Sequence, residues 1–235
     1  MHEWVEGETA NKLAPGDEAC MLGHLGRLLA QLHSAPQPGE GLGLHDVSSD
    51  GYLQCFMHWP SGTALQGGLE ETAVVAGDSH QIVEFLRSHC EGHLRALAAP
   101  GLPRGLLHGD PFLDNMMVGA AGATLLDWDE AAVGPFVYDL ACAVVGGCFR
   151  EDGDLNEPRL RALLGAYSKV RPLSQMELSA VPALMQANAL LVAWYRWRAF
   201  HIEVADAPAD ARESYREMLR IHEKLERGPA RDAVA

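Results

Sequence analysis

The chain has 235 residues, 48% of them hydrophobic, which is enough for one sizeable core or two small ones. Lys and Arg number 18 against 32 Asp and Glu, a net charge of −14 that argues against a nucleic-acid or anionic-membrane surface. Five cysteines, at 20, 55, 90, 142 and 148, are odd in number and include no C-x-x-C pair, so buried free thiols in a reducing, cytoplasmic compartment are expected. The first residues are polar and acidic, unlike a signal peptide. No apolar run reaches transmembrane length, because the longest, at 180–193, contains Pro182, Gln186 and Asn188.

Pro15-Gly16-Asp17 is a helix start, with Asp17 as the N-cap of a helix to about Ser34. Met21, Leu22, Leu25, Leu28, Leu29 and Leu32 recur at three- and four-residue steps and form one apolar face. His33, at the end, fits a histidine beside the helix dipole better than a substrate contact. Residues 35–77 are rich in Gly, Pro and Ser and read as irregular, with one short helix at most; an insertion of this length is often functional or mobile. Asp78 or Ser79 caps a second helix to about Ala98. His89 and His93 lie four apart on it, but without a third ligand at a recognisable spacing they read as a solvated face, not a zinc pair. Pro100-Gly101-Leu102-Pro103 then breaks the helix.

The next stretch carries the chemistry. Leu107-His108-Gly109-Asp110-Pro111-Phe112-Leu113-Asp114-Asn115 is followed by Leu125-Leu126-Asp127-Trp128-Asp129. Met116-Met117-Val118 is an apolar strand, 119–122 a tight turn and 124–126 the return strand. Such a hairpin brings the end of its second strand beside the start of its first, so Asp127 is expected near Asn115. Phosphoryl transfer needs one carboxylate beside the substrate hydroxyl, and an amide oxygen with a second carboxylate to hold magnesium on the phosphates. Asp110 fits the first role; Asn115 and Asp127 fit the second. The bland alternative makes Asp110 and Asp114 turn residues and Asp127 a strand-end cap.

Beyond Gly134-Pro135, a buried helix over about 136–149 carries Asp139 among Leu140, Ala141, Val144 and Val145, where an ionised carboxylate needs partners. Another helix follows over about 158–170. Ser174-Gln175-Met176-Glu177 is a capping box that opens a helix to about Val204, with Pro182 as a kink or break. A last helix covers 208–227, and Gly228-Pro229 stops it.

The ordered set H-G-D-x-x-x-x-N, hairpin and D-W-D resembles the aminoglycoside phosphotransferase and choline kinase superfamily, relatives of the protein kinases. Gly134 to Ala141 matches its G-x-x-x-x-D-[LV]-A motif. The resemblance implies an α+β fold: the mainly helical C-terminal lobe of a protein-kinase-like fold, with a small β-hairpin at the catalytic site. It implies ATP and Mg2+ as cofactors and a small-molecule acceptor. It gives His108 and Asp139 the role of supporting the catalytic loop. The stretch from Tyr167 to Ser174, with Glu177 and the A-x-P-x-L-x-x-x-x-A run after it, is similar to the homoserine-kinase-like branch, which implies an amino alcohol or hydroxy-amino acid as acceptor. Asp114, Asp129 and Glu130 would suit its ammonium group by charge complementarity.

On this resemblance the chain divides, within one large lobe over 1–235, into a hinge remnant at 1–8, a first helix at 9–34, an irregular insertion at 35–77, a catalytic core at 78–150 and C-terminal helices at 151–228. The family's small first lobe brings a phosphate-covering loop and a lysine for the α- and β-phosphates. Neither motif occurs in this sequence, and Lys12 follows the hinge. A non-catalytic or truncated kinase-like protein is therefore the competing expectation. A metal-dependent phosphohydrolase is a third, less suited because such sites hold two metals with more carboxylates and histidines.

Overall fold

The computed structural model describes residues 7–12, 16–37, 43–48, 89, 95–204 and 206–227. Most of the expected second helix, of the 35–77 insertion and of the 1–8 hinge, with Cys55, Cys90, His93 and the tail after 227, lies outside them. Residues 95–98, expected as a helix end, form a short 3-10 turn.

Helix α1 (Glu18–Ser34) follows Asp17, which occupies the N-cap position without a side-chain capping bond; Glu18 instead accepts from the Gly16 N–H at 2.9 Å. Its buried face holds Met21, Leu22, Leu25 and Leu29, and packs on α3 (Glu157–Ser168). The two helices meet at Gly26, where an added Cβ would lie 2.2 Å from the Leu163 carbonyl oxygen. We expect Gly26→Ala to cost about 1–3 kcal/mol by forcing these backbones apart. Gly165→Ala on α3, where a Cβ meets nothing within 4 Å, should instead stabilise by roughly 0.5–1 kcal/mol through helix propensity. Urea unfolding of the two variants checks both signs.

Two small sheets flank the H-G-D and D-W-D segments. In the first, β1 (Glu8–Thr9), β4 (Met116–Gly119) and β5 (Gly122–Leu125) run antiparallel in the order β1-β4-β5. The expected hairpin is β4–β5, registered from Met116↔Leu125 to Gly119↔Gly122, so its turn is the two residues Ala120 and Ala121. The return strand starts at 122 rather than 124 because the register carries Gly122 into the ladder. In the second sheet, β6 (Ala132–Pro135) lies between β2 (His45–Asp46), parallel to it, and β3 (Arg104–Leu107), antiparallel. This sheet was not expected from the sequence. Its strands are too short to show an alternating pattern, and β6 ends in Gly-Pro, which reads as a turn.

Helix α2 (Val137–Gly147) is the central element: Val137, Asp139, Leu140, Ala141 and Val144 have no exposed surface. α3 takes Asn156 as N-cap, whose side chain accepts from Arg159 N–H. α4 (Gln175–Arg198) opens with the expected capping box, both of its reciprocal bonds being formed. Pro182 does not end it; a π-helical turn over Ala199–Glu203 does. By length and composition 175–201 is apolar enough to cross a membrane, against the expectation that no such run exists; 56% of that window is buried, the helix packing between α2 and α6 (Tyr215–Arg227). The last expected helix is two, α5 (Ala209–Glu213) and α6. They part at Ser214, whose hydroxyl donates to the Ala211 carbonyl at 2.6 Å and whose own carbonyl accepts from Arg196. Cys142 and Cys148 are buried free thiols, as expected, whereas Cys20 is free but exposed.

Candidate active site

Strand β3 delivers its chain end to the loop His108-Gly109-Asp110. Gly109 has φ +88°, and an added Cβ there would stand 2.0 Å from the Glu130 carbonyl oxygen. Only glycine fits this crossing of the two loops. His108 is fully buried; its Nδ1 accepts the Asp110 backbone N–H at 3.4 Å, so Nε2 carries the proton and donates to the Leu126 carbonyl at 2.8 Å. The ring lies 4.7 Å from that of Trp128. One histidine thus ties the first loop to the end of the hairpin.

Asn115 closes the short 3-10 turn Leu113–Asn115. Its Nδ2 donates to the Asp110 carbonyl oxygen at 2.9 Å and to Asp110 Oδ2 at 2.8 Å. The Leu126 N–H donates to the Asn115 carbonyl at 2.8 Å, so Asp127, the next residue, starts beside Asn115. Asp127 adopts φ +54°, in the left-handed region that is uncommon outside glycine, and is exposed. Burial pushes the Asp110 carboxyl above the ordinary aspartate range; the Asn115 bond opposes this, and the Asp114 and Glu130 charges add to it. Asp114, Asp129 and Glu130 are all exposed around this loop. The structure therefore gathers Asp110, Asn115 and Asp127 at one edge, with the three acidic residues on its rim.

Asp139 reaches the loop from below. Its Oδ2 accepts from the His108 N–H at 2.8 Å and its Oδ1 from the Gly109 N–H at 3.0 Å. A third bond, from His33 Nε2 to Oδ2 at 3.1 Å, was not expected from the sequence. His33 does stand in the last turn of α1, as expected, but it is buried and bonded; it stacks on Phe136, ring centroids 4.6 Å apart. The signal was its spacing: position 33 continues the buried row through 22, 25 and 29, where a polar side chain needs a partner.

The chain is similar to known proteins. The family model described as "Phosphotransferase enzyme family" matches residues 1–173. Homoserine kinase of Parvibaculum lavamentivorans is 34% identical over 173 residues, which cover 71% of this chain and 48% of that protein. Homoserine kinase of Methylobacterium radiotolerans is 31% identical over 179 residues, 75% of this chain and 51% of that one. The chain thus spans about half the length of the curated relatives it matches. Among solved structures, a choline/ethanolamine kinase family protein from Mesorhizobium loti matches with TM-score 0.62 at 17% identity, covering 97% of this chain and 70% of that one. The amicoumacin kinase hAmiN, solved with AMP-PNP, Ca2+ and Ami, gives TM-score 0.64 at 13% identity, over 95% and 63%. These structures share the kinase-like fold. With a family match over residues 1–173 of 235, and the H-G-D and D-W-D segments folded against one another, the chain belongs to the phosphotransferase enzyme family.

Proposed function

We propose that this chain carries the phosphoryl-transfer half of an ATP- and magnesium-dependent kinase for a small molecule. The acceptor is the hydroxyl of an amino alcohol or hydroxy-amino acid such as homoserine. The observation that carries this reading is the convergence of Asp110, Asn115 and Asp127 on the β4–β5 hairpin. The homoserine kinases among the relatives support the acceptor class. Asp110 accepts or aligns the acceptor hydroxyl proton, held by the Asn115 amide and kept partly desolvated. Asp114, Asp129 and Glu130 offer carboxylates to an acceptor ammonium group.

The residues present fit magnesium. Both amide hydrogens of Asn115 are engaged by Asp110, which leaves Oδ1 as its ligating atom. Together with an exposed Asp127 carboxylate this is a hard oxygen pair. Among the described residues no group of three His, Cys, Asp or Glu is placed to hold a metal by itself, so the nucleotide phosphates would complete the shell. The ion supplies neutralisation of phosphate charge, against a chain whose net charge is −14.

Calorimetric titration of the purified chain with ATP tests this. We expect binding with Mg2+, at least about tenfold weaker binding with EDTA, and the same loss in Asp127→Ala with Mg2+ present. Binding indifferent to both changes would remove Asp127 from its role.

A further inference from the structure

Asp139 is only the first link of a buried chain that leaves the active site. His33 Nδ1 lies 2.8 Å from the Tyr167 hydroxyl. Arg171 Nη1 donates to that hydroxyl at 3.1 Å and to Glu177 Oε1 at 2.7 Å. Glu177, almost wholly buried, also accepts from the Ser174 N–H and hydroxyl, both at 2.9 Å, and so belongs to the cap of α4. Arg171 lies over the Phe136 ring at 4.7 Å, the same ring on which His33 stacks. The segment between α3 and α4 is thereby wired to the loop that holds Asp110.

The bonds have a direction. Arg171 has hydrogens only to give, so the Tyr167 oxygen accepts from it. The phenol hydrogen then points to His33 Nδ1, which must accept. That leaves the His33 proton on Nε2, the atom facing the Asp139 carboxylate. In a neutral ring the other tautomer would place two acceptors, Nε2 and the Asp139 Oδ2, face to face in a buried site. Burial keeps the Tyr167 phenol protonated, well above its ordinary range despite the neighbouring Arg171, so the hydrogen is there to give.

We infer that Tyr167 and Arg171 are positioning residues for the catalytic loop: they hold the Nδ1 side of a His33 ring whose Nε2–H faces Asp139, and His33 in turn fixes the Asp139 carboxylate that carries the His108 and Gly109 N–H groups. The inference rests on reading 108–110 as the catalytic loop, but its test does not require turnover. It also gives a task to Tyr167, Arg171 and Glu177, which lie far along the chain from the motif residues.

The experiment is NMR on the full chain. In the wild type, the ring nitrogens of His33 should show a pyrrole-type Nε2 and a pyridine-type Nδ1. This measurement needs no variant, and the Nδ1–H tautomer or a doubly protonated ring at neutral pH would overturn the inference. In Tyr167→Phe Nε2 should keep its proton for Asp139, Nδ1 should shift to the position of an unbonded pyridine-type nitrogen, and the His108 and Gly109 amides should exchange about fivefold faster, the loss of one neutral hydrogen bond. The Ile221 amide, in the buried face of α6, should change by less than about twofold. An equal rise at all three amides would mean a general loss of stability and would overturn the positioning role. His33→Gln with Tyr167 intact, which offers an amide acceptor to the phenol and a donor to Asp139, should keep the two loop amides within about twofold of their wild-type rates. Failure of ATP binding with these outcomes intact would count against the kinase reading alone.

Discussion

Asp110→Asn should lower phosphoryl transfer by about 100- to 10,000-fold, the range ascribed to a positioned general base or acceptor, while the protein stays folded and ATP still binds. The argument is electrostatic. Burial and the Asp114 and Glu130 charges disfavour the ionised carboxylate and raise its pKa. The sign follows: between the unfolded and the folded pKa, the folded state binds more protons, so this group's contribution to stability falls as pH rises through that window. At neutral pH the charge is a cost that the fold bears for function. The neutral amide removes it, and its carbonyl can still accept from Asn115. Thermal melting should therefore show Asp110→Asn at or above the wild-type Tm. Activity in the wild type should fall on the acid side at a pH above that of an ordinary aspartate, and Asp114→Asn should move that limb down. Transfer retained in Asp110→Asn would end its assignment as the acceptor of the hydroxyl proton.

The second large effect is on stability. Asp139→Ala removes a carboxylate with no exposed surface that accepts from the His108 and Gly109 amides and the His33 ring. All three donors would be left buried, and breaking such a site by taking away one partner costs about 3–5 kcal/mol. That is a large fraction of the roughly 5–15 kcal/mol by which domains are stable. Asp139→Asn is no conservative substitute, because its NH2 group would meet one of these donors head-on. Urea unfolding measures both. A loss below about 1 kcal/mol in the alanine variant would show that the loop is held by other contacts.

The convergence of the candidate site residues was legible in the sequence because they are close together and chemically distinctive. His108, Gly109, Asp110, Asn115 and Asp127 span 20 positions, and the hairpin between them has clear apolar and turn signals. The capping box of α4 and the apolar row of α1 were equally local. What stayed hidden depends on distance. The bonding of His33 was hidden because its partners, Asp139 and Tyr167, stand on two other helices. The β2-β6-β3 sheet was hidden because its strands have two to four residues, too few for a period to show. The split of the last helix at Ser214 came from a side-chain hydroxyl satisfying a backbone carbonyl, which composition does not reveal.

The contact between His33 and Tyr167 joins residues 134 positions apart. Closing so long a loop comes late, because its entropy must be met before the contact rewards it. During synthesis the H-G-D segment leaves the ribosome well before α3 does. Its support is then incomplete, since the histidine beneath Asp139 still lacks the partner of its Nδ1. The reactive geometry is thus assembled among the final folding events, and a chain stopped short of Tyr167 would present the motif without the posture that gives it use.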